Sequence, residues 1–560
     1  MTQDQPDLAF PVPHAHDEER HVYVSVGHGQ MMTDAMKPLG ISFWQMTTPR
    51  PMVEAGGRLF VDVTKILASP STRPGLLETM GRGDPLMRDA LETLLERDGY
   101  VRTLPDEDPA WTPPGGGSPD LIPTDPAIVA GLIERTAASV ATARREIASL
   151  SGPVLLDFIR TDFEELRRLL RDPQSHRAIM AGMEAAWWLN DQLGAWLGEK
   201  DAADVLAQSV AHNVTSEMGL ALLDVADAIR PHPAVIALLE QAEDDAFLDR
   251  LPALPGGPQV RDAILGWLDR YGMRGIGEID ITRPRWSEHP SLLLPLILGN
   301  VRNFTAGEGR RRFAQGRQES LRKEGELLSR LRALPDGAQR ADETKRMIDR
   351  LRTFAGYREY PKYGMVSRYF VYKVALLAEA ARLVTAGVLR DPEDIFFLTF
   401  PELEEVVRSR AADAELIRHQ RQAFAAYQAL RPPRVLTSDG EMLSGEYRRG
   451  EARAGVLVGI GVSSGTVEGR ARVIRDVRDT ELGPDDILVT AFTDPSWTPL
   501  FLGIKGLVTE VGGLMTHGAV IAREYGLPAV VGVERATQLI RDGQFIRVNG
   551  SDGSVELLRR

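Results

Sequence analysis

The sequence predicts an α+β multidomain protein, in which a large, mainly helical domain is followed by a compact α/β domain. Between residues 127 and 431, apolar residues recur with the 3.6-residue period of amphipathic helices. After residue 455 the pattern changes to short apolar runs separated by turn glycines, which is typical of strands. The length agrees with this division, because 560 residues suffice for about three or four domains of ordinary size.

The composition indicates a globular protein and argues against several kinds of partner and chemistry. A content of 43% hydrophobic and 26% charged residues is typical of a globular protein. The formal net charge of -13 argues against nucleic acid or an anionic membrane as a partner. The chain has no cysteine, which excludes disulfides, thiol nucleophiles and cysteine metal ligands.

Two features of the sequence predict a cytoplasmic protein. The N-terminus lacks the basic and apolar pattern of a signal peptide. The apolar run from Leu292 to Leu298 is too short to span a bilayer. The absence of cysteine also suits a reducing compartment. We therefore expect neither nucleic acid nor a membrane among the partners.

The N-terminal part is predicted as a flexible lead over residues 1–20, followed by a domain over residues 21–433. Strands are expected at His21–Val26 and Arg58–Val63. An apolar cluster lies between and around them, and it comprises Met31, Met32, Met36, Phe43, Trp44, Met46 and Met52. Such a cluster packs a core more often than it lines a binding site, although methionine also suits adaptable apolar pockets.

The middle of the chain is predicted as a series of helices. A helical pattern runs from Gly75 to Leu95, and the Pro- and Gly-rich stretch from Pro105 to Pro126 is predicted as a loop. Further helices are expected at Ala127–Leu150, Val154–Leu170, His176–Leu197, Ser216–Ile229, Ala234–Leu248, Val260–Tyr271, Arg310–Leu334 and Val366–Ala386.

Two interruptions of the helical pattern carry charged residues. Glu278 and Asp280 alternate with isoleucines, so both carboxylates could share one strand face, although an ion pair with Arg283 or Arg285 is the simpler alternative. Arg358 and Lys362 lie around Pro361, at an expected joint between helices. Arg offers a planar fork and Lys a point charge, so the pair could converge on a phosphate; solvated cations are the alternative.

The C-terminal part is predicted as a linker over residues 434–454 and a domain over residues 455–560. Short strands are expected near Val456, Gly465–Ile474, Asp486–Thr490, Gly506–Thr509, Ala529–Val531 and Gln544–Val548. Within this domain, His517 follows the turn glycines Gly512 and Gly513, which permit positive φ. Thr516 is a plausible N-cap for a helix that Gly526 and Pro528 end. His517 therefore lies in a first helical turn, where free N–H groups and the helix dipole favour an anion.

The stretch Gly512-Gly-Leu-Met-Thr-His517-Gly-Ala-Val-Ile-Ala-Arg523-Glu-Tyr-Gly526-Leu-Pro528 resembles the signature of the phosphoenolpyruvate-utilising family, which includes pyruvate phosphate dikinase and rifampicin phosphotransferase. The resemblance implies that His517 is phosphorylated and that its domain swivels between two sites. Gly512, Gly513 and Thr516 then form the phosphate loop. Gly518 departs from the Ser or Ala that many members carry after the histidine.

The opening stretch, from Val24-Ser-Val-Gly-His28-Gly-Gln30 to Met36-Lys-Pro-Leu-Gly40, resembles the rifampicin-binding domain of rifampicin phosphotransferases. The resemblance implies that the domain over residues 21–433 binds substrate, with Gln30 and the apolar cluster lining the drug site. His28 is either a satisfied turn histidine or a residue near the acceptor hydroxyl. The resemblance also places Arg358 and Lys362 near the site of phosphoryl transfer.

The same resemblance implies how the reaction is divided. In these enzymes an ATP-grasp domain precedes the other two, and the sequence before His21 is too short for one. We therefore expect ATP and Mg²⁺ to act through an ATP-grasp domain or subunit in trans, or through a domain of a longer chain from which this sequence was cut, and we expect no metal ligands here. The phosphoryl group then passes from His517 to a hydroxyl of rifampicin, which inactivates the antibiotic.

Two alternatives to this function remain. The chain could be the phosphohistidine subunit of a split enzyme like phosphoenolpyruvate synthase or phenylphosphate synthase. It could also be a rifamycin-binding protein without catalysis.

Overall fold

A computed structural model describes residues 10–13, 20–30, 32–48, 51–97, 99–104, 122–445, 447, 455–474, 482–514 and 516–558. In these residues the chain forms 22 α-helices and 13 strands. We call residues 20–445 the helical body and residues 455–558 the C-terminal body. The predicted α+β class is confirmed, whereas most of the predicted flexible lead lies outside the described residues.

The elements of the helical body include the predicted helices and further helices that the sequence analysis did not predict. Its helices are α1 (Val26–Gln30), α2 (Pro38–Thr47), α3 (Thr64–Ala68), α4 (Arg73–Gly83), α5 (Pro85–Leu95), α6 (Pro126–Ile147), α7 (Gly152–Leu170), α8 (Pro173–Leu197), α9 (Ala202–Leu206), α10 (Val214–Ile229), α11 (Pro233–Glu240), α12 (Phe247–Arg250), α13 (Gly257–Tyr271), α14 (Leu294–Asn303), α15 (Glu308–Arg332), α16 (Gly337–Phe354), α17 (Tyr360–Thr385), α18 (Phe400–Ser409) and α19 (Ala414–Tyr427). Its strands are β1 (Val22–Ser25), β2 (Val53–Ala55), β3 (Arg58–Asp62), β4 (Val435–Thr437) and β5 (Met442–Leu443).

A five-stranded antiparallel sheet closes the helical body in the order β2-β3-β1-β4-β5. Val22 pairs with Thr437, so β4, which follows α19 in the chain, lies beside the first strand β1. The stretch predicted as a linker therefore differs from expectation at residues 435–437 and 442–443, which are strands. The reason is tertiary, because β4 supplies the free edge of β1 with a partner. The limits of the domains themselves remain a prediction.

The core of the helical body is aromatic where α2, α7 and α17 meet. The ring of Phe43 lies 5.3 Å from that of Phe163, 5.7 Å from that of Tyr369 and 5.8 Å from that of Phe400. Edge-to-face contacts of this kind add stabilisation beyond the burial of apolar area. These contacts fix α2 against the long helix α17.

The C-terminal body is built on an eight-stranded sheet with the order β6-β13-β12-β8-β9-β10-β11-β7. Its strands are β6 (Val456–Val458), β7 (Ile460–Ser463), β8 (Thr466–Val473), β9 (Asp486–Thr490), β10 (Gly506–Thr509), β11 (Ala529–Val531), β12 (Phe545–Asn549) and β13 (Ser554–Leu557); its helices are α20 (Thr498–Phe501), α21 (His517–Tyr525) and α22 (Ala536–Leu539). Strands β10 and β11 are parallel, and α21 connects them. The N-terminus of α21 therefore follows the carboxyl end of β10, where ligands of open α/β sheets commonly bind.

The two bodies are in contact through both apolar and polar groups. Met218 and Leu222 of α10 belong to the same buried cluster as Trp497 and Phe501 of the C-terminal body. Polar contacts surround this cluster: Arg312 Nη1 donates to the Leu502 carbonyl over 2.6 Å, and Asn303 Nδ2 donates to the Leu482 carbonyl over 2.8 Å. In the described part of the chain, no helix combines the length and apolar character needed to cross a membrane.

Candidate active site

His517 is the first residue of α21, as the sequence predicts, and Gly526 ends the helix with a left-handed φ of 63°. The two turn glycines differ in their role. Gly512 takes a φ of 151°, whereas Gly513 does not take a positive φ, so the prediction is wrong for Gly513. Gly513 is small for another reason: a Cβ there would lie 1.6 Å from the carbonyl oxygen of Gly83.

Thr516 occupies the N-cap position with an extended backbone, but its side chain makes no capping hydrogen bond. Its hydroxyl instead donates to the Gly513 carbonyl over 2.7 Å. The predicted N-cap position is therefore confirmed, although the side chain of Thr516 does not supply the capping hydrogen bond. The hydroxyl closes the turn, which leaves the first N–H groups of α21 without a side-chain acceptor from Thr516.

Both ring nitrogens of His517 have partners, and the side chain is buried at the junction of the two bodies. Nδ1 lies 2.7 Å from Oε2 of Glu359 in the helical body. Nε2 lies 3.0 Å from Oγ1 of Thr498 in the C-terminal body. A carboxylate can only accept, so Nδ1 carries the proton, and the hydroxyl donates to the lone pair of Nε2. This arrangement leaves the lone pair of the imidazole on Nε2.

The Glu359 carboxylate is kept ionised by its neighbours. Burial alone would raise the pKa of Glu359, but the His517 ring, Arg358 and Lys362 together hold that pKa well below its ordinary value. Thr215 Oγ1 donates to Oε2 over 3.3 Å, and Arg358 Nη1 lies 3.2 Å from Oε1. Glu359 is therefore a fixed anion that holds the proton on Nδ1.

The structure brings Arg358 and Lys362 to the junction near His517. Arg358 belongs to a short 3₁₀ turn over Ala355–Glu359, and Lys362 lies in the first turn of α17. The helix begins at Tyr360 and not near Val366, because proline is tolerated in a first turn. Burial lowers the pKa of Arg358. Their roles in transfer remain a prediction.

A buried ion pair between Arg274 and Glu278 contacts the residues of this junction. Arg274 binds Glu278 with two hydrogen bonds of 2.9 and 3.1 Å, and its Nη1 donates to Thr215 Oγ1 over 3.0 Å. Lys362 Nζ lies 3.9 Å from Glu278 Oε1. Thr215 thus connects Arg274 to Glu359, so the orientation of Glu359 depends on a network of buried partners.

The shared strand face predicted for Glu278 and Asp280 is wrong, because residues 276–283 form turns and bends. The simpler alternative of an ion pair holds in part. Asp280 Oδ2 lies 3.9 Å from Arg283 Nε, whereas Glu278 pairs with Arg274.

The residues predicted to line the drug site occupy different surroundings. Met32, Met36 and Phe43 are buried in the aromatic core, and Trp44 and Met52 are half-buried against it. Gln30 is exposed at the end of α1, and Met31 lies outside the described residues. Their part in binding a drug remains a prediction.

A cavity of about 840 Å³ lies between the two bodies. The helical body contributes His28, Asp34 and Trp286 to its wall, and the C-terminal body contributes Ser496 and Trp497. Thr498, the partner of His517 Nε2, is the next residue along the chain. A volume of this size is within the range of drug-binding sites.

Sequence reasoning missed four side chains of the site: Glu359, Thr498, Thr215 and Arg274. Glu359 lies directly between the two predicted cations, and an acidic residue between them is a signal that could have found it. Thr498 precedes His517 by 19 positions, and nothing in its local pattern indicates the contact. Thr215 and Arg274 reach the site only through tertiary packing.

Comparisons with known proteins identify two segments of the chain. Residues 174–359 match the family described as the rifampicin phosphotransferase fourth domain. Residues 482–553, which include His517, match the family described as the mobile domain of PEP-utilising enzymes. The first segment contains Glu359, and the second contains both Thr498 and His517. The contact between His517 and Glu359 therefore connects the two matched segments.

Similar proteins extend the match to nearly the whole chain. A rifampicin phosphotransferase of Streptomyces sviceus is 65% identical over 549 residues, which are 98% of this chain and 63% of that protein. A rifampicin phosphotransferase of Bacillus subtilis is 57% identical over 98% of this chain and 64% of its own length. A prodigiosin synthesizing transferase of Serratia marcescens is 30% identical over 62% of this chain and 39% of its own length. The chain thus spans less than two thirds of the length of the rifampicin phosphotransferases it matches.

Proposed function

This chain belongs to the rifampicin phosphotransferase family, and we propose that it passes a phosphoryl group from His517 to a hydroxyl of a rifamycin-type molecule. The observation that carries the proposal is the position of His517. Its ring lies at the N-terminus of α21, with Nδ1 on Glu359 and Nε2 on a hydroxyl. An ionised carboxylate that fixes one tautomer is the arrangement expected for a nucleophilic imidazole.

Transfer requires two displacements at phosphorus. In the first, the Nε2 lone pair attacks the phosphorus of a donor, and the bond from phosphorus to the donor oxygen breaks. In the second, the acceptor hydroxyl oxygen attacks, the P–Nε2 bond breaks, and its electron pair returns to Nε2. Because Glu359 keeps a proton on Nδ1, His517 leaves as neutral imidazole, and the hydroxyl proton passes to solvent.

The contact between Thr498 and His517 belongs to the state in which His517 carries no phosphoryl group. The Thr498 hydroxyl lies 3.0 Å in front of Nε2, where a phosphoryl group would be attached. This contact therefore opens when His517 is phosphorylated. The short α20, which carries Thr498, packs against α10, so the opening involves the junction between the two bodies.

Arg358 and Lys362 are proposed to stabilise the charge that develops on the phosphoryl oxygens. Both cations already have carboxylate neighbours, Glu359 for Arg358 and Glu278 for Lys362. Their positions are thus fixed before a phosphoryl group arrives, which is the condition for electrostatic stabilisation of a transition state.

ATP and Mg²⁺ are assigned to an ATP-grasp domain or subunit that acts with this chain. In the residues that the structure describes, no group of three His, Asp or Glu side chains is placed to hold a metal ion. The steps derived above use the chain's own side chains.

The test combines this chain with a separately purified ATP-grasp domain of a rifampicin phosphotransferase, ATP, Mg²⁺ and rifampicin. We expect phosphorylated drug, and in the absence of drug we expect an acid-labile phosphoryl group on His517 by peptide mass spectrometry. His517→Ala should abolish both, while rifampicin affinity stays close to that of the wild type. The control is His419→Ala, because His419 is exposed on α19.

Two results would contradict the proposal. If His517→Ala still phosphorylates the drug, His517 is not the carrier. If phosphohistidine forms but passes to pyruvate or phenol and not to rifampicin, the chain serves a split synthase instead.

A further inference from the structure

His28 is a buried histidine that the proposed transfer does not use. It lies in α1, its side chain is 7% exposed, and it forms part of the wall of the 840 Å³ cavity. One ring nitrogen has a protein partner: Nδ1 lies 2.9 Å from Ser25 Oγ. Among the described residues, Nε2 has no hydrogen-bond partner, and it is not one of the sealed polar atoms without a partner. Nε2 therefore faces the cavity.

The hydrogen bonds of Ser25 indicate which nitrogen carries the proton. The backbone N–H of His28 donates to Ser25 Oγ over 3.4 Å, and no other described side chain accepts from this hydroxyl. The hydroxyl hydrogen is thus available for Nδ1, which leaves the ring proton on Nε2. His28 presents an N–H donor to the cavity.

The surroundings keep His28 neutral. Burial lowers the pKa of His28 well below its ordinary value, and the positive charge of Arg434 lowers it further. From the helical body, Asp34, Arg58, Arg283 and Arg431 also line the cavity, and from the C-terminal body Glu510, Glu534 and Arg535 do. Arginines outnumber carboxylates in this wall. A positive charge on His28 is therefore disfavoured next to these arginines, and the ring acts as a neutral donor.

Several of these charges are already paired. Arg434 binds Asp84 and Glu534, and Arg283 binds Asp34. Arg58 donates all four of its contacts to backbone carbonyls, those of Thr33, Gly56, Tyr427 and Leu430. Arg434, Arg283 and Arg58 are therefore held by protein groups, whereas His28 Nε2 has no hydrogen-bond partner among the described residues.

We infer that His28 determines acceptor specificity: its Nε2–H donates a hydrogen bond to an oxygen of the molecule held in the cavity between the two bodies. The inference rests on the proposed function, since it assigns the acceptor to this cavity. The ligand class is an oxygen-rich molecule with a carbonyl, phenol or alcohol oxygen at this wall. An analogue without that oxygen leaves the donor unpaired and binds more weakly.

The test uses the geometry of amide replacements. The side-chain nitrogen of Gln reaches the position of His Nε2, whereas that of Asn reaches the position of Nδ1. We expect His28→Ala and His28→Asn to weaken rifampicin binding by about tenfold, which is the cost typical of one lost hydrogen bond to a ligand. His28→Gln should bind within a factor of about three of the wild type. Calorimetry on the chain alone measures these affinities, and His419→Gln is the control.

The outcomes separate this inference from the proposed function. Rescue by Gln and not by Asn supports the donor. Rescue by Asn and not by Gln assigns His28 a structural role through Ser25 and overturns the inference, as do unchanged affinities in all three variants. If the wild type does not bind rifampicin, both proposals fail. If affinity rises several-fold below pH 6, the charged ring is the donor and the neutral form is excluded.

Discussion

At the scale of residues, the partners of His517 fix which of its ring nitrogens carries the proton and which would react in the proposed transfer. Glu359 and Thr498 approach opposite nitrogens at 2.7 and 3.0 Å, and they come from different bodies. The tautomer that the proposed transfer needs is therefore held by Glu359 only when the bodies are in contact. In the proposed swivelling motion, His517 would lose Glu359 and keep Thr498, so its tautomer would no longer be fixed by a carboxylate.

Truncating Arg358 or Lys362 should lower turnover more than rifampicin affinity, because charge on the phosphoryl oxygens develops only during transfer. Loss of one positioned donor typically costs roughly 2.7–4 kcal/mol, or about 10²–10³ in rate. Arg358→Lys should rescue poorly if the contact needs the planar fork. Turnover and affinity are measured for Arg358→Ala, Arg358→Lys and Lys362→Ala with the ATP-grasp domain present. Near-normal turnover in both alanine variants would leave the pair as structural cations.

At the scale of elements, α21 is held by close packing at its first turn. A Cβ on Gly518 would lie 2.4 Å from Oγ1 of Thr493, a buried hydroxyl without a hydrogen-bond partner. The departure from Ser or Ala at this position thus has a steric reason. The N-terminus of α21 sits closer to the loop before α20 than a larger residue permits.

Gly518→Ala should therefore destabilise the chain by about 1–3 kcal/mol, the typical cost of overpacking. The matched control is Gly131→Ala in α6, where a Cβ meets nothing within 4 Å. Because Ala favours helix over Gly, the control should be stabilised by roughly 0.5–1 kcal/mol. Urea unfolding measures both. Equal effects of the two substitutions would show that the Thr493 side chain moves to accommodate the added Cβ without loss of stability.

The opposite end of α21 carries a carboxyl group that should make stability depend on pH. Burial, together with the negative charges of Glu359 and Glu217, raises the pKa of Glu524 to about 8, against a hydrogen bond from Asn213. The ordinary value is 4.5. Between these values the folded chain holds a proton that the unfolded chain has lost, so stability falls as pH rises from about 4.5 to 8.

Glu524→Gln should remove that slope, because a neutral amide has no proton to lose. The difference in Tm between variant and wild type should grow from pH 5 to pH 8 and then level off. Thermal unfolding over this range measures it, with Glu415→Gln, an exposed change on α19, as the control. Parallel curves for Glu524→Gln and the wild type would show that Glu524 is ionised in the folded chain.

At the scale of the whole molecule, the two bodies meet so closely that small residues are required. Gly513 lies against the carbonyl of Gly83 at the end of α4, and Arg434 joins Asp84 to Glu534 of the C-terminal body over 2.8 and 2.9 Å. The loop before His517 thus packs directly against the connection between α4 and α5.

Gly513→Ala should disturb this docking and leave the C-terminal body folded, because Gly513 does not take a positive φ. We expect transfer to rifampicin to fall, while phosphorylation of His517 by the ATP-grasp domain continues. The two half-reactions are measured separately, with Gly299→Ala as the control because a Cβ there meets nothing within 4 Å. Loss of both half-reactions would instead indicate a defect within the C-terminal body.

The sequence by itself determined the local structure of this protein. Apolar periods predicted the helices α6, α7, α8, α10, α13, α15 and α17 and the strands from β8 to β12, because backbone hydrogen bonds and one-sided burial act over neighbouring residues. They did not predict α14 or α16. Gly526 and Pro528 predicted the end of α21 for the same reason, and this placed His517 in a first helical turn. The chemistry of a helix N-terminus could thus be inferred without a fold.

Only the tertiary structure decided what meets His517. Glu359 lies 158 positions away and Thr498 lies 19 away, and no local pattern encodes either contact. The pairing of β1 with β4 and the cavity that His28 faces likewise join segments far apart in the chain. Such contacts form only when the helices and sheets pack, since burial and charge complementarity act between surfaces and leave no period in the sequence.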